Sequence, residues 1–324
     1  MIYTLGFLKN VVFLPLITAA ILTFIATPAV ITIAKFLNLV DDPKKRPHAA
    51  HTEKRVIPRA GGLALFFGFL AATFLFIPFS KQIVGIVLGA AVLVIVGLID
   101  DKTDLNPYFR LFGANLLAAL LSVGAGAAII FITNPFGGVI HLDFWRITFN
   151  FLGQHSFLPI ADAVAILWIV WSMNMVGWSG GVDGQMPGFV AISAAFIGII
   201  SLGQVGIENF SIWTTATLAF ITAGAYLGFL PWNVFPQKIM PGYGGKALAG
   251  FLLATIAILS AAKVGTAILV LGVPLIDSFY VAANRLLHGH SPVLDTRNHL
   301  HHRLLDAGWT KRQVALFYWG LSAI

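Results

Sequence analysis

The sequence contains no cysteine, and only 10% of its residues are charged. Without thiols there is no disulfide, no thiolate nucleophile and no Cys-ligated metal, although the absence identifies no redox compartment. Acids are scarcer than bases: 13 Asp and Glu stand against 20 Lys and Arg in 324 residues. So few charges, beside 58% hydrophobic residues, leave too little polar surface for a large soluble domain. A clear internal repeat is lacking too, which speaks against a solenoid or an inverted-repeat transporter.

What the chain does have is a series of long apolar runs. They lie near 10–34, 61–79, 83–99, 111–132, 160–177, 188–203, 211–230, 247–262, 264–283 and 313–324. In hydrocarbon each must be helical, because backbone groups can pair only within their own segment. The sequence thus predicts an all-α polytopic membrane protein with about 10 transmembrane helices, read as a single integral-membrane domain over residues 1–324. Its last helix is expected to be cut off at Ile324, and the N-terminal run behind Lys9 to stay uncleaved.

The few charges are concentrated. Sixteen of the 20 Lys and Arg residues fall in 35–59, 101–110, 238–246 and 285–312, leaving Lys9, Lys81, Arg146 and Lys263 elsewhere. Alternating helices carry all four segments, and the loop 178–187, to one side. The bias of basic residues predicts that this side is the cytoplasmic face of the inner (plasma) membrane. The formal net charge of +7 then describes loops beside anionic headgroups and calls for no nucleic acid. The external connection 133–159 is poor in charge and has room for a strand or an interfacial helix.

Each polar segment has a plain and a chemical reading. Asp100 and Asp101 end an apolar run; adjacent carboxylates repel unless a cation or donors neutralise them, as Mg2+ would. A solvated helix end would place them there equally well, and Arg110 is close enough in sequence to close the loop around an anion. Arg46, His48, His51, Lys54, Arg55 and Arg59 could grip phosphate or merely touch headgroups. Five glycines between Gly177 and Gly188 surround Asp183, just past Asn174, and suggest a bent loop close to a ligand. Asn233, Lys238, Tyr243 and Lys246 share a segment rich in Pro and Gly. His299, His301 and His302 suit phosphate, proton transfer or a metal, and neighbouring Arg297 and Arg303 favour an anion. Asp277 lies two helical turns before Arg285, placed to support such a site.

Taken together, these motifs resemble the polyprenyl-phosphate N-acetylhexosamine-1-phosphate transferases of glycosyltransferase family 4, nearest the undecaprenyl-phosphate GlcNAc-1-phosphate branch. The resemblance runs from about Asp42 to Trp309. It rests on Asp42-Pro43, Arg46, His48 or His51, Pro58-Arg59-Ala60-Gly61-Gly62, Asp100-Asp101 and His299-Leu300-His301-His302-Arg303. It implies a UDP-N-acetylhexosamine donor, a polyprenyl phosphate acceptor in the bilayer, and Mg2+ (or Mn2+) as cofactor, and it is compatible with a homodimer. By the same resemblance, Asp100 would orient or deprotonate the lipid phosphate and Asp101 and Asp183 would hold the metal. Asn174, Asp183 and Asn233 would contact the nucleotide. The three histidines with Arg303 would hold or protonate the diphosphate. Arg46, His48, His51, Arg59, Arg110, Lys238 and Arg297 complete the expected substrate contacts. Two segments depart from the family pattern: in the glycine loop Gly177 and Gly180 stand where the family has an Asn and an Asp, and Tyr243 replaces the acid of the Phe-Met-Gly-Asp segment. The rival readings are a non-catalytic relative that binds lipid phosphate or scaffolds glycan assembly, and a transporter.

Overall fold

A computed structural model describes residues 4–44, 55–134, 137–150, 154–203, 210–260, 265, 268, 271–289, 291 and 297–323. The expected phosphate ligands Arg46, His48 and His51, with Lys54, lie outside them. Helices α1 (Leu5–Phe36), α2 (Gly61–Phe76), α3 (Lys81–Thr103), α4 (Pro107–Gly124) and α5 (Pro159–Trp178) form the first half. Helices α6 (Gln185–Gly203), α7 (Phe210–Asn233) and α8 (Gly242–Leu259) follow. The chain continues in α9 (Gly272–Leu287), α10 (Leu300–Asp306) and α11 (Lys311–Ser322).

Among the described residues, 7 helices are long and apolar enough to cross a membrane, and Gly61–Phe76 is a shorter apolar helix. The expected count of ten counted every apolar run as a full crossing. Three of the expected ten fall outside that set among the described residues. Within the run expected over 264–283 the described residues include the 16-residue α9, α11 has 12 residues, and α2 has 16. A full crossing needs about 20 helical residues. The architecture is a polytopic helical bundle all the same.

Helix α8 lies at its centre, packed against α2, α3 and α5. Its residues from Ala247 to Ala257 are all buried. Lipid tails are as apolar as leucine, so these helices associate by close contact and not by exclusion of water. A Cβ on Gly97 would stand 2.4 Å from Gly244 Cα, and one on Gly62 2.5 Å from Gly245 N. The glycines before and within α2, α3 and α8 therefore let three backbones meet at one end of the bundle.

Helices α1 and α7 use the same device. Gly224 and Gly228 take the backbones of Leu16 and Ala20 so closely that any side chain would collide. The outward faces of α1 carry Ile17, Ile21, Phe24 and Ile25, all exposed, as lipid contact requires. The connection between α4 and α5 contains two antiparallel hairpins, β3 (Phe131–Thr133) with β4 (Val139–His141) and β5 (Ile147–Asn150) with β6 (Gln154–Phe157). A third pair, β1 (Val40–Asp41) and β2 (Ile57–Pro58), brings the chain back from α1 toward α2.

Candidate active site

The β1–β2 pair is stitched to the chain before α8. Met240 N donates to Pro58 O at 2.7 Å, and Gly61 and Gly62 donate to Met240 O and Pro241 O at 3.0 and 2.8 Å. Arg59 is thereby held over the end of α3. Its guanidinium lies 3.3 Å from Asp101, 3.4 Å from Asp41 and 3.9 Å from Asp100. Arg110 reaches Asp100 at 3.5 Å from the first residue of a π-helical segment, Arg110–Asn115, that opens α4. Such π-turns recur at functional sites because the wider turn re-aims its side chains. Burial alone would lower the pKa of Arg59, but Asp101, Asp41, Asp100 and Asp104 outweigh it and hold the guanidinium above its ordinary value.

Gly242 sits at φ +68°, and a Cβ there would strike both Asp101 and the carbonyl of Arg59. The turn into α8 thus presses its backbone onto the acid pair. Tyr243 N donates to Asp101 Oδ1 at 3.2 Å. The phenol turns the other way, donating to Asn115 Oδ1 and to the carbonyl of Arg110, with the Arg110 guanidinium 5.5 Å from its ring. Tyr243 therefore keeps a backbone contact to the acid pair, while its side chain braces Arg110.

Asp183 belongs to a second group. It receives Lys311 Nζ at 3.0 Å and Gln237 N and Nε2 at 3.2 and 3.3 Å, with Arg55 at 3.9 Å. Asn233 binds Gly184 N at 3.0 Å and donates to Gln237 Oε1 and Ile239 O at 3.0 and 2.8 Å. Both ends of this buried amide are used within the protein, so it ties the glycine loop to the α7–α8 connection. Asn174 is half-buried and donates to Val170 O in its own helix at 2.7 Å. The Asn233 amide is thus engaged at both ends, whereas only the Nδ2 of Asn174 is tied to its own helix. Lys238 is exposed and stacks over Trp232 at 5.0 Å.

The three histidines are buried together at the start of α10. The rings of His299 and His301 are parallel, with centroids 5.7 Å apart, and those of His301 and His302 are 4.0 Å apart. Asp277 accepts from His299 Nδ1 at 2.9 Å and from Leu300 N at 2.7 Å. A carboxylate only accepts, so it fixes the protonated Nδ1 and the ring orientation. The loop glycine Gly181 lies flat on His301, where a Cβ would collide with Nε2. Burial, then His302, His299 and Lys246, push His301 well below the ordinary histidine range, so this ring is neutral. Arg297 pairs with Asp306 at 2.6 Å and Arg303 stacks over Tyr280 at 4.3 Å; both are exposed.

The acid pair, the glycine loop and the histidines thus meet at one end of the bundle. Residues 83–261 match the family described as Glycosyl transferase family 4. The chain belongs to glycosyl transferase family 4. It is 31% identical to the decaprenyl-phosphate N-acetylglucosaminephosphotransferase of Mycobacterium leprae, over 93% of this chain and 78% of that protein. It is 28% identical to a probable undecaprenyl-phosphate N-acetylglucosaminyl 1-phosphate transferase of Bacillus subtilis, over 95% of this chain and 83% of the relative. The Escherichia coli undecaprenyl-phosphate alpha-N-acetylglucosaminyl 1-phosphate transferase is 28% identical, over 87% of this chain and 73% of its own length.

Whether this family 4 site suits a metal depends on its oxygens. Among the described residues, no three His, Asp or Glu side chains form a metal-binding group. Asp183, engaged by Lys311 and Gln237, is not grouped with Asp100 and Asp101. The adjacent pair does fit a hard cation, because Asp100 Oδ2 is buried and accepts no hydrogen bond from the described residues. Two carboxylates suffice for Mg2+, which keeps water and takes the rest of its shell from substrate phosphate.

Sequence reasoning passed over Asp41, Asn115, Gln237 and Lys311. One sign of Lys311 was available: it opens a helix capped by Thr310, where the helix dipole disfavours a cation. The polar residues Asn115 and Gln237 had no such mark.

Proposed function

We propose that this chain transfers a sugar-1-phosphate, GlcNAc-1-phosphate in the first instance, from a UDP-sugar to polyprenyl phosphate. A lipid phosphate oxygen forms a bond to the sugar-bearing phosphorus. The bond from that phosphorus to the bridging oxygen breaks, and UMP leaves with the oxygen. The products are polyprenyl-diphosphate sugar and UMP, and the whole chain acts as one integral-membrane transferase domain. The observation that carries this reading is the convergence of Asp100-Asp101, the Gly177–Gly184 loop and the three histidines in a chain similar to enzymes named for this transfer.

A phosphate monoester at pH 7 is largely a dianion, its second pKa being about 6, so the attacking oxygen needs little help from a base. Catalysis then rests on bringing two anions together and compensating their charge. Arg59 and Arg110 bear on the acid pair, and we place Asp100 as the group that orients the lipid phosphate. Mg2+ held by Asp100 and Asp101 would supply further charge compensation to the phosphates. Neutral His301 can donate one N–H to a phosphate oxygen without adding a charge. Asp183 and Asn233 shape the loop that faces the nucleotide. The reaction surface faces the cytoplasm in this reading, since the basic segments lie there by the positive-inside bias.

The test is UMP release by the purified protein, given polyprenyl phosphate and a panel of UDP-sugars, with wild type beside Asp101→Ala. Metal-dependent release that the variant loses is the expected result. No release from any sugar nucleotide would leave a binding-only relative, a second reading favoured by the ion pairing of Asp100, Asp101 and Asp183.

A further inference from the structure

Helices α4 and α5 each meet the candidate active site by one end. Arg110, near the start of α4, reaches Asp100 at 3.5 Å, and Trp178, at the end of α5, has its ring centroid 6.2 Å from that of His299. Their other ends, Gly124 and Pro159, therefore lie at the far end of the bundle. Both helices are long and apolar enough to cross a membrane, so the chain joining them starts and finishes at the opposite lipid–water boundary. Its sequence, 125–158, holds only two charged residues, Asp143 and Arg146, and their signs are opposite.

That connection turns apolar side chains outward. Phe144 is 72% exposed and Trp145 54%. In an antiparallel ladder, directly opposed residues project to one face and the next pair projects to the other. Ile147 pairs with Phe157, and Thr148 with Ser156. The β5–β6 hairpin thus has an apolar and a polar face at neighbouring positions, and all four side chains are exposed. Ile132 and Ile140 make a second exposed apolar pair in β3–β4. A two-stranded hairpin is marginal in water unless its apolar face is covered.

We propose that lipid covers it: Phe144, Trp145 and the Ile147–Phe157 face lie in the headgroup–acyl boundary of the leaflet opposite the acid pair. The exposed apolar side of α4, Leu117 and Leu120, runs out toward Gly124, and the connection carries that surface onward along the boundary. Tryptophan favours this depth, where its ring has hydrocarbon on one side and water on the other. Because Asp143 and Arg146 offset each other, the contact is apolar and not an attraction to anionic headgroups, so salt does not release it.

The chain has no cysteine, so one introduced thiol is a unique attachment point for a fluorophore. Ile147→Cys and Thr148→Cys, each labelled, would be compared in phosphatidylethanolamine–phosphatidylglycerol vesicles with iodide on both sides of the membrane. Lipid-borne nitroxide should quench the label at 147 while iodide does not, and iodide should quench the label at 148. The contrast should survive high salt. Trp145→Cys, outside the strands, should behave like 147 and repeats the test without disturbing the hairpin register. Equal quenching by iodide at 145, 147 and 148 overturns the proposal. Shielding of 145 and 147 from both quenchers, lost as the protein is diluted into more lipid, also overturns it and assigns the face to a second copy of the chain. Release of the label into iodide by salt alone would overturn the apolar basis of the contact.

Discussion

Replacing Arg59 with Met removes the guanidinium that touches three carboxylates. It reaches Asp101 at 3.3 Å, Asp41 at 3.4 Å and Asp100 at 3.9 Å, and only 18% of the side chain is exposed. Removing one partner of a buried ion pair leaves a stranded charge and costs about 3–5 kcal/mol. Asp100 keeps Arg110 at 3.5 Å, and Asp101 keeps the Tyr243 amide. The lower end, about 3 kcal/mol, is therefore expected. Part of that loss is packing of the arginine stem, so a single variant does not isolate the electrostatics. A cycle does. In an Asp101→Asn background the same Arg59→Met change should cost about 2 kcal/mol less, because the stranded charge is gone. Equilibrium unfolding of the four proteins in mixed micelles measures the difference. Losses that add to within about 0.5 kcal/mol would refute the claim that Arg59 and Asp101 form a coupled pair.

Three further outcomes follow from the same geometry. Asp277→Asn should lower UMP release by about ten- to a hundred-fold, because a single amide oxygen cannot accept from both His299 Nδ1 and Leu300 N and the imidazole tautomer is no longer fixed; unchanged release would make Asp277 a packing residue. Gly181→Ala should abolish activity, since its Cβ would stand 2.0 Å from His301 Nε2, while Gly124→Ala, with nothing within 4 Å, should be silent. The neutral state of His301 sets a pH dependence. Its folded pKa is lowered, so the unfolded chain binds the proton first as pH falls below about 6.5. Its contribution to stability is complete above that pH and declines by up to about 1.4 kcal/mol per pH unit until the folded pKa is reached. His301→Gln should flatten the acid limb of a stability-against-pH curve, and an identical limb in both proteins would contradict the burial argument.

Much of this was written in the chain's composition and spacing. Long uncharged runs can only be helices in hydrocarbon, and the crowding of Arg, Lys and His into a few connections marked which ends would carry chemistry. Asp100-Asp101 and His299-Leu300-His301-His302-Arg303 were legible because adjacent carboxylates repel unless neutralised, and three histidines beside arginines suit an anion. The number of crossings was less legible: ten apolar runs were expected to cross, and 7 helices among the described residues are long and apolar enough to do so. Nor was the purpose of the glycines, which is a distance between backbones: Gly62 against Gly245, Gly97 against Gly244, Gly181 against His301.

Which cation meets which acid was decided only in three dimensions. Arg59 is 41 or 42 residues from its acids at the end of α3 and 128 residues separate Asp183 from Lys311; no local rule links such positions. The partners of Asn233 and Tyr243 were set in the same way. Asn233, expected at the nucleotide, ties the glycine loop to the α7–α8 connection, and Tyr243, expected only as a departure from the family pattern, braces Arg110. A sequence fixes the inventory of charges and the lengths that can cross a bilayer, because those depend on neighbours along the chain. Ion pairing and the close approach of backbones depend on neighbours in space.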